Sequence, residues 1–271
     1  MIGIFDSGVG GLSVLRAIRR QAPSQPLIYL ADQAHVPYGA RSETEVRAFS
    51  EEITRFLLER GARLVIVACN TASAAALAHL RTIFPTVPFV GLEPAVKPAA
   101  ASTRSGVVGV LATPVTFQGR LYTSVVERFA QGITILQDTC PGLVAEIEEG
   151  NLNGSRARAI LESALHPMLA QGADTIVMGC THYPFVIPLI QDIVGPHVQV
   201  IDPALAVARQ AQRLLESHGL ANQQGAAASP QSAQILLYTT GSRDKLASNL
   251  LVFLEEDHPV QVARWHYGKL L

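Results

Sequence analysis

Gly61-Ala62-Arg63-Leu64-Val65-Ile66-Val67-Ala68-Cys69-Asn70-Thr71 carries an apolar, β-branched run into a small residue, a cysteine and a polar pair. The same order returns at Gly172-Ala173-Asp174-Thr175-Ile176-Val177-Met178-Gly179-Cys180-Thr181-His182, where the second cysteine lies 111 residues after the first. Short apolar runs bounded by turn residues read as buried strands. One free cysteine at a strand end is commonly a core residue. Two in matching surroundings ask for one explanation.

Around the first run the chain alternates strands and helices. A strand at 2–5 enters Asp6-Ser7-Gly8-Val9-Gly10-Gly11, and Leu12, Val14, Leu15 and Ile18 then follow helical spacing. A second strand is predicted at 27–31, followed by Asp32 and the loop Pro37-Tyr38-Gly39. Residues 42–60 read as an amphipathic helix, with Ser42 and Glu45 spaced as a capping box. The cysteine strand covers 64–68, an alanine-rich helix 72–80, and a strand at 88–91 leads into Glu93-Pro94.

The pattern then restarts. Val108-Gly109-Val110-Leu111-Ala112-Thr113 matches Ile2-Gly3-Ile4-Phe5-Asp6-Ser7 at an offset of 106, and 133–138 matches 27–32 at the same offset. The cysteine strands follow, and 198–203 matches the segment ending in Glu93-Pro94. Four matches in order predict an internal duplication. Beyond it lie a helix at 204–218, a polar linker-like stretch at 222–232, a strand at 235–239, a helix at 242–253 and a strand at 260–264. This tail has no counterpart in the second repeat, so it is expected to return to the first half.

The expected fold is α/β, with two pseudo-symmetric domains, each a mostly parallel sheet flanked by helices. The first domain takes residues 1–95 plus 207–271, the second 96–206. Ligands of such sheets bind beyond the carboxyl ends of the strands, so the active site is expected in the cleft between the halves.

Composition narrows the function. The chain has 271 residues, 48% hydrophobic and 16% charged, with a formal net charge of −1. That balance offers no electrostatic case for nucleic acid or an anionic membrane surface, and no run reaches the roughly 18 apolar residues of a membrane span. The N-terminus shows no signal-peptide pattern, so a cytoplasmic protein is expected. Cys69, Cys140 and Cys180 are odd in number and widely spaced, with no Cys-x-x-Cys pair; neither a disulfide framework nor a metal site is expected. Cys140, followed by Pro141, reads as structural. The glycine-rich turn after Asp6 has Ser13 where a dinucleotide loop has its third glycine. Its N–H groups are expected to approach a small ligand such as a carboxylate.

Each cysteine precedes a predicted helix start or tight turn, where unpaired N–H groups favour a thiolate over the free value of about 8.5. Two thiols flanking a small ligand suit a reaction with two faces: one thiolate removes a proton from carbon, and the other thiol delivers one to the opposite side. Asp6 is the candidate helper for Cys69. His182, with a carboxylate from Glu148 or Glu149, is the candidate for Cys180.

Taken together, Phe5-Asp6-Ser7-Gly8-Val9-Gly10-Gly11-Leu12, Pro37-Tyr38-Gly39, Cys69-Asn70-Thr71-Ala72-Ser73, the segment from Cys140-Pro141 to Glu148-Glu149-Gly150, Cys180-Thr181-His182-Tyr183-Pro184 and Thr239-Thr240-Gly241 resemble the cofactor-independent glutamate racemases. The resemblance runs from residue 2 to about residue 264. It implies racemisation of glutamate without metal or cofactor, feeding D-glutamate into peptidoglycan precursors. It places the catalytic cysteines at Cys69 and Cys180, with Asp6, His182 and Glu148 assisting. It implies that Asp6, Ser7, Pro37, Tyr38, Gly39, Asn70, Thr71, Thr113, Thr116, Thr181 and His182 hold the substrate. The expected partner is a small molecule; whether the chain forms a homodimer is left open.

Overall fold

The computed structural model describes residues 1–221 and 233–271; the linker expected at 222–232 lies outside them. In chain order the first elements are β1 (Ile2–Asp6), α1 (Leu12–Gln21), β2 (Leu27–Ala31), a 3-10 turn (Tyr38–Ala40), α2 (Glu43–Glu59), β3 (Leu64–Val67), α3 (Asn70–Ile83) and β4 (Phe89–Gly91). Then come α4 (Val96–Ser102), β5 (Val107–Ala112), α5 (Pro114–Gln118), α6 (Arg120–Phe129), β6 (Thr134–Asp138), α7 (Leu143–Glu148), α8 (Ser155–Ala170) and β7 (Thr175–Gly179). A 3-10 turn (Tyr183–Val186), α9 (Ile187–Val194) and β8 (Gln199–Ile201) end this stretch. The chain closes with α10 (Ala204–Ser217), β9 (Ile235–Thr239), α11 (Arg243–Leu254), β10 (Val260–Val262), β11 (Trp265–His266) and β12 (Lys269–Leu270).

Two compact units result, Met1–Leu92 with Ala204–Leu271, and Glu93–Pro203. Their limits fall where β4 has ended and where α10 begins to pack on α1. They lie three residues before the sequence-based boundaries at 95 and 207.

The first unit orders its strands β10-β9-β2-β1-β3-β4 and the second β6-β5-β7-β8, all parallel. Against the central strands the cysteine strands keep their register: Ile2 pairs with Leu64, as Val108 pairs with Thr175. The second strands do not. Ile2 stands opposite Leu27, but Val108 stands opposite Ile135, two residues further along than the 106-residue match implies. A slip of two keeps each side chain on its own face, so the apolar pattern alone cannot reveal it.

β1, β2 and β3 are buried along their whole length, as strands covered on both faces must be. Each fully buried side chain such as Ile4 or Phe5 contributes about 1.5–3 kcal/mol relative to exposure. A glycine sits at the matching place in each central strand because a neighbour packs close there, the end of α2 and the turn after it over Gly3 and α8 over Gly109. A Cβ on Gly3 would stand 2.9 Å from the Ala62 Cβ, and one on Gly109 would stand 2.6 Å from the Met168 Sδ.

Helix α2 starts where the capping box predicts. The Ser42 Oγ accepts the Glu45 N–H at 3.3 Å, and the Glu45 carboxylate accepts the Ser42 N–H at 3.0 Å. The last predicted strand ends at Val262 rather than 264, and the hairpin β11–β12 follows it. Strands of two residues carry no periodicity to read. Among the described residues no helix is long and apolar enough to cross a membrane.

Candidate active site

In the first unit the carboxyl ends of β1 and β3 lie side by side, with the Ala68 N–H donating to the Phe5 carbonyl at 2.8 Å. This alignment brings Asp6-Ser7 close to Cys69, whose Sγ lies 4.0 Å from the Ser7 Oγ. Cys69 is extended and is the N-cap of α3, so the helix begins on the next residue. Asp6 is wholly buried, and its Oδ2 accepts the N–H groups of Gly8 at 3.1 Å and Gly11 at 3.0 Å. Two of the glycine N–H groups expected to face a ligand therefore hold Asp6 instead. The turn after β1 serves to fix a carboxylate, and the Tyr29 hydroxyl, donating to the Gly8 carbonyl at 2.6 Å, braces it from β2.

Asn70 and Thr71 form the first turn of α3, and both are buried. Neither the Nδ2 nor the Oδ1 of Asn70 has a hydrogen-bond partner among the described residues. A buried amide left unpaired costs about 1–3 kcal/mol, a cost expected where the group is kept to meet a ligand. Tyr38, on the loop after β2, is buried and donates its hydroxyl to the Asp32 Oδ2 at 2.6 Å. Its phenol is thus committed within the protein. Burial, then the Asp32 charge and hydrogen bond, then the nearby Cys69 and Asp6, push the phenol well above its ordinary range.

In the second unit β7 runs directly into Cys180, and a 3-10 turn rather than an α-helix follows. The Sγ of Cys180 lies 3.8 Å from the His182 Nδ1, and the His182 Nε2 lies 2.7 Å from the Glu148 Oε1. All three side chains are buried. Burial alone would lower the imidazole below 6.5, but hydrogen bonds and charge from Cys180 and Glu148 outweigh it and hold His182 well above that value. In this arrangement a protonated imidazole donates one N–H toward sulfur and the other to a carboxylate. Glu148 is the partner because α7 turns Leu143, Ile147 and Glu148 inward, leaving Glu149 exposed.

Ala112 occupies the place in β5 that Asp6 holds in β1, so the second unit has no carboxylate there. The Oγ1 atoms of Thr113 and Thr116 are 3.0 Å apart, at the start of α5. Thr181 is buried beside Cys180. Cys140 is also buried, with a φ of +43°. Burial first, then Asp138, pushes its thiol far up, which fits a structural residue. Among the described residues no group of three His, Cys, Asp or Glu side chains is arranged to hold a metal ion.

Sequence reading missed the surroundings of Tyr38. Thr240 and Trp265 both donate to Asp32, at 2.7 and 2.8 Å. Thr240 lies in the Thr239-Thr240-Gly241 motif and Asp32 directly follows β2 beside the Tyr38 loop, but nothing in the sequence marks Trp265.

The sequence profile of the Asp/Glu/hydantoin racemases matches residues 2–211. A glutamate racemase of Roseiflexus sp. (strain RS-1) is 49% identical over 247 residues, covering 91% of this chain and 89% of that protein. Escherichia coli glutamate racemase, solved in complex with L-glutamate and the activator UDP-MurNAc-Ala, superposes with a TM-score of 0.83 at 31% identity over 100% of this chain and 98% of that one. The Francisella tularensis subsp. tularensis SCHU S4 glutamate racemase, in complex with D-glutamate, does so with a TM-score of 0.82 at 28% identity over 96% of each chain.

Proposed function

We propose that this chain, which belongs to the Asp/Glu/hydantoin racemase family, interconverts L- and D-glutamate by passing protons through two cysteines. One thiolate takes the α-proton and becomes a thiol. The carbanion collects a proton from the other thiol on the opposite face, and that sulfur becomes the thiolate. The enzyme then stands ready for the reverse direction, and exchange with water resets it. The D-glutamate so formed would supply peptidoglycan precursors.

The observation that carries this reading is the pair of buried thiols at register-equivalent ends of β3 and β7, the second of them joined to His182 and through it to Glu148. The α-proton of an amino acid is far less acidic than a thiol, so the site must supply the difference. Fixed dipoles and desolvation are the available means. His182 stabilises a Cys180 thiolate as an imidazolium, and the unpaired amide of Asn70 can hold a polar group of the ligand beside Cys69. Glutamate is chosen because relatives named for it are about half identical over most of the chain.

The test is α-deuterium incorporation in D2O, run without added pyridoxal phosphate or metal, over a panel of D- and L-amino acids. Fast exchange with both glutamate enantiomers is expected. Exchange with aspartate and none with glutamate would move the assignment to a sister activity.

A further inference from the structure

The tail that returns to the first unit changes the strand beside the site. β9 and β10 extend the sheet past β2, so β2 is an inner strand, buried throughout. Its counterpart β6 is an edge strand and is partly exposed. Asp32 follows β2 directly and is completely buried.

A carboxylate offers about four acceptor positions, and Asp32 has all four engaged. Its Oδ1 accepts from the Thr240 Oγ1 at 2.7 Å and the Trp265 Nε1 at 2.8 Å. Its Oδ2 accepts from the Tyr38 hydroxyl at 2.6 Å and lies 2.9 Å from the His35 Nδ1. The Thr240 hydroxyl also accepts the Ala34 N–H at 3.0 Å, fastening the loop a second time. His35 stacks on Phe49 at 3.9 Å and meets the Trp265 ring edge-on at 5.1 Å. With no acceptor position spare, Asp32 is not placed to take a substrate proton. The residue it holds reaches the site: the Tyr38–Ala40 turn packs on α3, and Tyr38 shares a core cluster with Cys69 and Ala72.

We infer that Asp32 is a positioning residue for the Cys69 half of the reaction: anchored by Thr240 and Trp265 of the C-terminal return, it holds Tyr38, and with it the Pro37-Tyr38-Gly39 backbone, against the start of α3. The inference rests on the racemase reading above. It gives the C-terminal return, which the second unit lacks, a task in catalysis. It also predicts that asparagine fails at position 32, because an amide group turns two of the four acceptor positions into donors, facing two N–H or O–H groups.

The test compares Asp32→Asn, Trp265→Phe and Tyr38→Phe with wild type, all shown folded by circular dichroism. The readout is the primary isotope effect with α-deuterated L- and D-glutamate. The enantiomer served by Cys69 is the one whose α-proton Cys180→Ser still exchanges. Asp32→Asn is expected to lower kcat/KM about 10–100-fold, since small misplacements of reacting groups cost up to about that much. It should raise the isotope effect for the Cys69 enantiomer relative to the other. Trp265→Phe keeps an aromatic ring but removes the indole N–H donor, so a loss of about 3–10-fold in the same direction is expected; it also stands in should Asp32→Asn not fold. Asp32→Asn and Tyr38→Phe should combine non-additively. Isotope effects that stay equal or change together, or strictly additive losses, would overturn the inference. Absence of glutamate exchange in wild type would instead bring down the racemase reading, and this inference with it.

Discussion

In the first unit Cys69 opens a 14-residue helix and has a buried carboxylate, Asp6, on the neighbouring strand. In the second unit Cys180 precedes a 3-10 turn that His182 caps, and this imidazole, two residues on, is itself bonded to a carboxylate 34 residues upstream. The strand plan and the cysteine register are shared; the helpers are not. Asp6 draws its hydrogen bonds from its own turn, whereas Glu148 reaches Cys180 through His182. The lesson is that the two units share the place of each thiol and differ in the side chains around it. A reaction that meets each face of one carbon with a different sulfur can use that difference.

The sharpest way to break the comparison is to remove either sulfur. Cys69→Ser and Cys180→Ser should each lower racemisation about 10³-fold or more, because a hydroxyl is a far poorer proton-transfer partner near neutral pH. Polarimetry on both enantiomers measures this. A variant keeping a tenth of wild-type activity would mean that one thiol suffices.

The second unit's His182–Glu148 pair predicts a smaller loss. His182→Asn should lower kcat about 10²-fold, and Glu148→Gln should lower it less while moving the alkaline limb of the pH profile to lower pH. The same pair sets a stability trend. The folded imidazole value lies above 6.5, so its stabilisation is fully present below about pH 6.5 and is lost as pH rises through the raised value. Thermal unfolding against pH should show that alkaline loss in wild type and a weaker one in Glu148→Gln. Equal slopes would show that Glu148 does not hold the imidazolium.

Asn70 sharpens the first unit. Its buried amide has no partner among the described residues, so Asn70→Ala should leave Tm unchanged or higher while raising KM about 10-fold. A drop in Tm with unchanged KM would make Asn70 a packing residue. The smallest effect is expected at the third cysteine, where Cys140→Ala should change kcat/KM by less than about twofold.

Much of this plan was legible in the residues. Apolar runs ending in Cys69 and Cys180 located both central sheets, and the Ser42–Glu45 spacing located the start of α2. What escaped depends on contacts between distant residues. Glu148 and Glu149 are indistinguishable in sequence, and only the inward face of α7 separates them. The two-residue slip between β5 and β6 preserves alternation and so leaves no trace. The Asp32 anchor draws donors from residues 38, 240 and 265, which no local pattern links. Tyr38 shows the consequence. Its motif pointed to the site, while its hydroxyl turned out to be spent on Asp32.

The central claim is that two different sulfurs handle the two faces of the α-carbon. It is tested most directly by following unlabelled L-glutamate in D2O at early conversion, by NMR and mass spectrometry, and then repeating from D-glutamate. Two bases predict that the newly formed enantiomer carries deuterium at its α-carbon while the remaining substrate stays protonated, in both directions. Substrate that exchanges as fast as product forms, or product that keeps the original proton, would contradict the account.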